Sequence, residues 1–258
     1  TGSGLYSFPG EVQEQPVETE FGEVVVQVGK VGRWRVGAIS RQGPGHRFLP
    51  HQIQYRANLA ALARLGARAV LATTVVGAVD PALSLERPVL FDDLFFPDNR
   101  LPNGEICTIF TEPGDPERGH LILSEPFSPR LRSRVARAAE ELELEPTIGG
   151  VYGHTNGPRF ETRSEIGSFA AAGVTAVSLT CGPEAVLAGE LELPYALIGF
   201  PVNYATGVGE PETKEDLDRR LALSKEVLPW LLLRVIETLE EEDFAFDYGY
   251  VYRMEGGV

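Results

Sequence analysis

The run RAVLATTVVG, residues 68–77, constrains the fold more than any other stretch of the chain. Its apolar residues are nearly continuous over the length of one strand, which is typical of a strand covered on both faces. A helix is expected just before it and should stop at Gly66. The apolar stripe of that helix consists of Ile53, Ala57, Ala60, Ala61 and Leu65.

The same alternation of elements recurs later in the chain. The segment PTIGGVYGH, a helix from about Ser164, the run VTAVSLT, a helix through EAVLAGEL and the strand YALIGFPVNY follow one another. This order predicts an α/β fold with a mixed, largely parallel central β-sheet flanked by helices, in a single domain over residues 1–258. The runs EVVVQVG and WRVGAIS predict a hairpin, and two more helices are expected at about 130–144 and 214–242. Residues 92–129 are expected to be irregular.

Composition and charge argue against several classes of partner. The chain has 23 basic and 37 acidic residues and a net charge of −14, which opposes broad contact with nucleic acid. No apolar run approaches the roughly 20 residues of a membrane span, so no membrane partner is expected. Cys107 and Cys181 suggest neither a disulfide framework nor a metal site and are expected to be reduced thiols in a cytoplasmic protein.

Polar side chains at the ends of the predicted strands could bind an anion. Thr73 and Thr74 end one strand, and Ser178 and Thr180 end another. Adjacent parallel strands would bring these hydroxyls together, although each pair alone is more simply a set of strand-forming residues. With Arg41 from a loop after a third strand, they make a candidate anion cradle without a lysine or a metal.

The segment TNGPRFETRSE, residues 155–165, places an aromatic ring beside a carboxylate. A turn explains Gly157 and Pro158 but not Phe160 followed by Glu161. A ring offers a stacking surface and a carboxylate offers a hydrogen-bond acceptor, so the pair suits a heteroaromatic ligand. The structural alternative is that Glu161 only stabilises the start of the following helix.

The chain resembles the trimeric purine nucleoside phosphorylase and 5′-methylthioadenosine phosphorylase family over nearly its whole length. Seven segments carry the resemblance in the family's order: TGSG, SRQGPGHRFLPHQIQYRANLAAL, LATTVVGAV, LILSEPFSPRLR, NGPRFETRSEI, VSLTCGPEAVLAGEL and VNYATG. The resemblance implies phosphorolysis, in which inorganic phosphate attacks C1′ of a nucleoside to give a free purine and a pentose 1-phosphate, without metal or organic cofactor. It also implies a homo-oligomer, either a trimer or a dimer of trimers, and a first strand that precedes TGSG.

By position, the resemblance assigns residues to three parts of a site. The phosphate-binding positions are Ser3, Arg41, Thr74, Thr180 and the backbone N–H of Val75. The purine-binding positions are Phe160, Glu161 and Asn203. Further substrate-binding positions are Tyr55, Asn58, Ser178 and Leu179, with Leu217 near the 5′ substituent and His120 entering the site of a neighbouring subunit.

Two of these positions favour 6-oxopurines. Hypoxanthine and guanine carry an N1–H donor and an O6 acceptor, which match the carboxylate of Glu161 and the amide of Asn203. The adenosine-type branch of the family typically has a small residue and an aspartate at these positions. Arg41, Glu161 and Asn203 are therefore expected to be catalytic: Arg41 holds phosphate, and Asn203 stabilises negative charge on the departing purine.

Other positions depart from the family pattern and leave alternatives open. Gln42 stands where histidine is common after the phosphate arginine, and Asn156 stands where the methylthioadenosine branch often has glutamate. No histidine follows His154, and the apolar Leu217 would suit a methylthio group. 5′-Methylthioinosine is thus a candidate substrate beside inosine and guanosine. The alternatives are a 5′-methylthioadenosine phosphorylase, a non-catalytic purine-binding protein and a nucleosidase that uses water.

Overall fold

The structure is a computed structural model that describes residues 12–210 and 212–253. Its helices are α1 Tyr55–Arg64, α2 Pro129–Glu141, α3 Arg163–Ala171, α4 Cys181–Glu190 and α5 Lys214–Thr238. Its strands are β1 Gln13–Thr19, β2 Gly22–Val31, β3 Trp34–Ala38, β4 Val70–Ala78, β5 Val89–Leu90, β6 Asp93–Phe95, β7 Gly119–Leu123, β8 Thr147–Ile148, β9 Val151–His154, β10 Ala176–Ser178, β11 Tyr195–Tyr204 and β12 Gly249–Arg253.

The central sheet has seven strands in the order β6-β9-β10-β4-β11-β5-β8. Four of its six neighbouring pairs are parallel, and β4 and β11 pair along their whole length. Residues 195–202 of β11 are all buried, as expected for a strand that has helices on both sides. The predicted α/β class with a mixed, largely parallel sheet is confirmed.

Helices cover the two faces of this sheet with separate apolar clusters. On one face, Leu131 of α2 and Leu231 of α5 pack against Ile198 of β11. On the other face, Leu59 of α1 and Leu187 of α4 belong to a cluster with strand residues. Burying a leucine of this kind stabilises the fold by about 1.5–3 kcal/mol, so these contacts fix where both helix layers stand on the sheet.

A smaller antiparallel sheet, β1-β2-β3, packs against α1. Strands β2 and β3 form the predicted hairpin, and β1 adds a strand that the sequence did not reveal. Val26 of β2 meets Ala57 and Ala61 of α1, whose small side chains let the helix lie close to the strands. Because this sheet is anchored on α1, the loop after β3 that carries Arg41 is brought to the central sheet.

The structure differs from the prediction in three details. Strand β10 is antiparallel to β4, not parallel, because β9, α3 and β10 form one parallel crossover unit that runs opposite to β4. The segment predicted to be irregular contains β6 and β7. Helix α5 ends at Thr238, before a short 3-10 turn at Glu241–Phe244. Within the described ranges, no helix has both the length and the hydropathy needed to cross a membrane.

Candidate functional site

Hydroxyl groups from the middle of β4 and the end of β10 meet in the central sheet. Thr74 Oγ1 and Ser178 Oγ are 3.0 Å apart, and Thr73, Thr74 and Thr180 are buried. Strand β10 runs antiparallel to β4, and its residues Ala176 and Val177 pair with Ala78 and Gly77 at the end of β4. The following residue, Ser178, therefore lies further towards the middle of β4. The predicted convergence of Thr74 and Ser178 is therefore confirmed, although it arises from antiparallel strands.

The N-terminus of α4 begins at the same place. Thr180 is the N-cap residue, and its side chain makes no capping hydrogen bond. The backbone N–H groups of Thr180 and Cys181 donate to the hydroxyl of Tyr152 at 3.4 and 3.1 Å. A helix N-terminus carries partial positive charge, so this end of α4 adds to the attraction that the hydroxyl groups offer to an anion.

Arg41 is buried and held from two sides. Its Nε and Nη2 donate to Glu184 Oε1 and Oε2 at 2.6 and 2.7 Å, and its Nη1 donates to the carbonyl of Thr73 at 3.1 Å. The hydroxyl of Tyr195 also donates to Glu184 Oε2, at 2.9 Å. Burial alone would raise the pKa of Glu184, but the charge and hydrogen bonds of Arg41 lower it below its ordinary value. Both members of the pair are therefore charged.

The loop after β9 carries the predicted purine-binding residues. Thr155 Oγ1 donates to Glu161 Oε1 at 2.5 Å, and a cavity of about 340 Å³ is lined by Glu161, Thr155 and Asn156. The start of α3 is capped by Thr162 and Glu165, which bond reciprocally, so Glu161 is not the capping residue. Phe160 is 69% exposed, leaving its ring face accessible.

Asn203 lies at the end of β11, after a break in the pairing register with β4. Its Nδ2 donates to the carbonyl of Tyr204 at 2.7 Å, and this atom would be 3.4 Å from a Cβ built on Gly77. Leu179 lies against Gly157, where an added Cβ would be 3.0 Å from Leu179 Cδ1. These two contacts put Asn203 beside β4 and tie the loop with Phe160 to the end of β10.

The remaining predicted residues are spread more widely. Tyr55 is 2% exposed and Asn58 is 8% exposed, both in α1, and no residue of the described ranges bonds the Tyr55 hydroxyl. Val75 and Leu217 pack partly buried against the apolar cluster on the α2 and α5 side. His120 is exposed on β7. Ser3 lies outside the described residues.

Three buried polar residues near the site were not singled out from the sequence. Glu184 and Tyr195 contact Arg41 or its partner, and the signal available for Glu184 was a carboxylate in the first turn of a helix after a strand end. His154 is 5% exposed, and neither ring nitrogen has a hydrogen-bond partner among the described residues. Burial lowers the pKa of His154 to about 3, so its ring is neutral. It also lines the 340 Å³ cavity.

A larger cavity of about 410 Å³ lies between β3, α1, β4 and α5. Most of its lining is apolar, including Leu62, Leu71 and Leu232, and Arg41 and Glu184 border it. The hydroxyl groups of Thr74 and Ser178 do not line it. The candidate site is therefore placed by the convergence of polar groups and not by cavity size.

Together these features define a class of protein. It is an α/β protein in which an arginine, hydroxyl groups from neighbouring strands and a helix N-terminus make a candidate anion site, close to a loop that pairs an exposed ring with a carboxylate. The sequence profile of the Phosphorylase superfamily matches residues 3–237, and the chain belongs to this superfamily. The family expected from the sequence is thus confirmed.

Individual relatives agree with this assignment. The chain is 35% identical over 247 residues to a 6-oxopurine nucleoside phosphorylase of Pyrococcus furiosus, across 93% of this chain and 92% of that protein. It is 36% identical over 217 residues to a Xanthomonas campestris protein named "Probable S-methyl-5'-thioinosine phosphorylase", across 82% and 84%. A solved structure of a Schistosoma mansoni methylthioadenosine phosphorylase in complex with tubercidin matches with a TM-score of 0.81 at 26% identity, across 94% of this chain and 92% of that chain.

Proposed function

We propose that the protein cleaves purine nucleosides by phosphorolysis, releasing a free purine and a pentose 1-phosphate, with a preference for 6-oxopurines. The observation that carries the proposal is the orientation of Glu161. Its carboxylate does not cap α3 but accepts a hydrogen bond from Thr155 and lines the cavity at the end of β9. The names of the Pyrococcus and Xanthomonas relatives support the same preference, because one names 6-oxopurine nucleosides and the other names S-methyl-5'-thioinosine, whose base is a 6-oxopurine.

Base recognition follows from the donors and acceptors that the protein has not used. Within the described residues Thr155 is the hydrogen-bond partner of Glu161 Oε1, which leaves Oε2 to accept from N1–H of the base. Among the same residues, Asn203 uses one of its two amide N–H groups on the Tyr204 carbonyl, so the second can donate to O6 or N7. Adenine has a bare N1 and a 6-amino group, and it would leave both protein groups mismatched.

The phosphate co-substrate would bind at Arg41, Thr74, Thr180 and the N–H of Val75. A guanidinium has five N–H donors, and residues 12–210 and 212–253 engage three of those on Arg41. The two that remain suit a bidentate contact with phosphate. Because phosphate arrives as an anion, the reaction needs no general base, and the proposed chemistry uses neither a metal nor an organic cofactor.

Catalysis would then divide between the two ends of the nucleoside. As the C1′–N9 bond lengthens, positive charge grows on the sugar and negative charge grows on the purine. Phosphate held by Arg41 lies ready to attack C1′ and screens the cationic sugar. A donor aligned with charge that appears only in the transition state contributes about 2.7–4 kcal/mol, and Asn203 supplies such a donor.

A complete site would need a second copy of the chain. The outer face of β7 and β12 presents His120 and Ile122 opposite Tyr252 and Tyr250, with Ile122 45%, Tyr250 51% and Tyr252 55% exposed. Such a face is typical of a covered interface. In a trimer or a dimer of trimers, His120 would reach the 5′ end of the sugar next to Leu217. A cytoplasmic location stays a prediction.

The test is release of free base from inosine, guanosine, 5′-methylthioinosine and 5′-methylthioadenosine, each with and without phosphate. Two mismatched buried groups at about 1–3 kcal/mol each predict a preference for 6-oxopurines on the order of a hundredfold. A preference for 5′-methylthioadenosine would contradict the base-recognition scheme. Equal turnover without phosphate would identify a nucleosidase, and nucleoside binding without turnover would identify a binding protein.

A further inference from the structure

We propose that Glu184 is a positioning residue for phosphate: its carboxylate fixes the plane of the Arg41 guanidinium, so that the two unused N–H donors of Arg41 are ordered before phosphate arrives. The inference rests on the proposed function, since it assigns a role within the same site. It names a residue that would bind neither phosphate nor nucleoside.

The contacts of Arg41 define its orientation from two elements. Glu184, in the first turn of α4, accepts from both Nε and Nη2, a two-point contact that sets the plane of the planar guanidinium. Thr73 of β4 accepts from Nη1 and ties the arginine to the strand that carries Thr74. The side chains of Arg41 and Glu184 are 2% and 10% exposed, so water competes little for these contacts.

Tyr195 extends the arrangement to β11. It is 1% exposed, and its hydroxyl donates to Glu184 Oε2 at 2.9 Å. The carboxylate thus accepts three hydrogen bonds, two from Arg41 and one from Tyr195. Three elements of the central domain, α4, β4 and β11, therefore hold one guanidinium in one orientation.

This geometry leaves a defined surface for an anion. Within the part of the chain that the structure describes, each Nη atom of Arg41 has used one of its two hydrogens, and one N–H remains on each. Two ordered donors on adjacent atoms match two oxygens of a phosphate. Since the charge of Arg41 is already balanced by Glu184, binding would depend on the direction of these donors more than on net charge.

An ordinary buried ion pair is the competing explanation, and the two explanations predict different kinetics. If the pair is purely structural, breaking it would lower the stability of the protein and leave the KM values of the folded enzyme unchanged. If the pair positions Arg41, breaking it would raise KM for phosphate and leave nucleoside binding nearly unchanged. A carboxylate that merely repels phosphate predicts the opposite sign, a lower KM for phosphate when Glu184 is neutralised.

The experiment compares Glu184→Gln, Tyr195→Phe and the control Glu190→Gln. Glutamine keeps the size of Glu184 but has one acceptor oxygen and cannot complete the two-point contact. Glu190 lies in the same helix and is partly buried, but its carboxylate accepts from Thr108 Oγ1 and the N–H of Ile109 instead. We expect KM for phosphate to rise about tenfold in Glu184→Gln and severalfold in Tyr195→Phe, because each loses orienting hydrogen bonds.

Hypoxanthine binding, followed by calorimetry, should change less than about twofold in both variants, and Glu190→Gln should match the wild type. Glu184→Asp, which restores a carboxylate, should recover part of the phosphate affinity. An unchanged or lower KM for phosphate in folded Glu184→Gln would overturn the inference. If Glu184→Gln does not fold, Tyr195→Phe decides in its place, and an unchanged phosphate KM there overturns it.

Direct titration with inorganic phosphate separates this inference from the proposed function. If the wild type binds phosphate but does not cleave nucleosides, weaker phosphate binding in the variants would support the role of Glu184 while the proposed function fails. If the wild type cleaves nucleosides and the variants keep their phosphate affinity, the proposed function stands and the role of Glu184 is wrong.

Discussion

At the scale of single residues, the proposed function assigns to Asn203 the choice between two classes of purine. Its amide donates to the Tyr204 carbonyl, and in the proposed scheme its second N–H donates to the base. In Asn203→Asp a carboxylate replaces this donor and can accept from the 6-amino group of adenine. We expect the ratio of kcat/KM for inosine to that for adenosine to fall by about 10- to 100-fold, the equivalent of about 1.4–2.8 kcal/mol.

Asn103→Asp is the matched control for that prediction. Asn103 lies in an exposed turn outside β11, where its Oδ1 accepts from the N–H of Glu105, so Asn103→Asp makes the same chemical change at another place in the chain. Its substrate ratio should equal that of the wild type. A ratio that stays constant in Asn203→Asp would show that the base is read by other groups.

His154 predicts a pH dependence of stability. Its pKa is about 3 in the folded protein, against an ordinary value of about 6.5 for histidine. Between these two pH values the imidazole is protonated in the unfolded chain and neutral in the folded chain. Stability is therefore lost as the pH falls through 6.5, by about 1.4 kcal/mol per pH unit. From about pH 7.5 to about pH 5 the expected loss from this residue is about 2 kcal/mol.

Urea unfolding of the wild type and of His154→Leu at both pH values measures this contribution. The leucine variant cannot titrate and should lose about 2 kcal/mol less than the wild type over the same interval. His51→Leu, at an exposed position, should behave like the wild type. Equal losses in the wild type and His154→Leu would mean that the imidazole gains a proton in the folded protein.

Residue type predicted some of this site and not the rest. Arg41, Thr74 and Ser178 were identified because the sequence predicted them at or just after strand ends. The structure brings Thr74 and Ser178 into contact, although Thr74 lies in the middle of β4. Glu184 and His154 were not identified, because an acid at a helix start and a histidine in a strand have ordinary structural explanations. Their roles depend on burial and on partners far away in the chain, such as the Arg41 that Glu184 holds.

At the scale of elements, the start of α4 is the most tightly packed part of the site. A Cβ added at Gly182 would lie 2.6 Å from Cγ of His154, so the strand end and the helix approach as closely as a glycine permits. Gly167 in α3 is the contrasting position, since an added Cβ there meets nothing within 4 Å. Alanine substitutions at the two glycines therefore separate the cost of crowding from the gain in helix propensity.

Gly182→Ala should destabilise the protein, while Gly167→Ala should stabilise it. Overpacking costs about 1–3 kcal/mol and exceeds the roughly 0.5–1 kcal/mol by which alanine improves on glycine inside a helix. The measurement is the free energy of unfolding of both variants. Gly182→Ala should also raise KM for phosphate, because Thr180 and Glu184 move with α4. If both variants were stabilised, the close packing of α4 on His154 would be wrong.

Element prediction succeeded where hydrophobic patterns were long. The apolar runs at β4 and β11 and the stripe of α1 were recognised from sequence because each spans nine or more residues with a clear period or run. Strands β5 and β8 have two residues each and hold no periodicity that could be read. The direction of β10 relative to β4 depends on the crossover unit that β10 forms with β9 and α3. A strand of three residues carries no local pattern that predicts this direction.

At the scale of the whole molecule, the proposed oligomer must form between acidic chains. Each chain carries a net charge of −14, and like charges oppose association. The outward face of β7 and β12 avoids this repulsion, because its four side chains, His120, Ile122, Tyr250 and Tyr252, include no carboxylate. A face without carboxylates, on an acidic molecule, is a surface where copies can meet at a low electrostatic penalty.

Ile122→Glu tests this face, and Ile148→Glu serves as its control. Ile122 is 45% exposed in β7, and Ile148 is 57% exposed in β8 at the edge of the central sheet, so both accept the same change at similar exposure. Size-exclusion chromatography with light scattering should show a wild-type oligomer, a smaller species for Ile122→Glu and no change for Ile148→Glu.

Nucleoside cleavage should fall together with assembly in Ile122→Glu, because the partner's His120 leaves the site. His120→Ala should keep the assembly and raise KM for the nucleoside. A wild type that is monomeric and fully active would show that each chain holds a complete site.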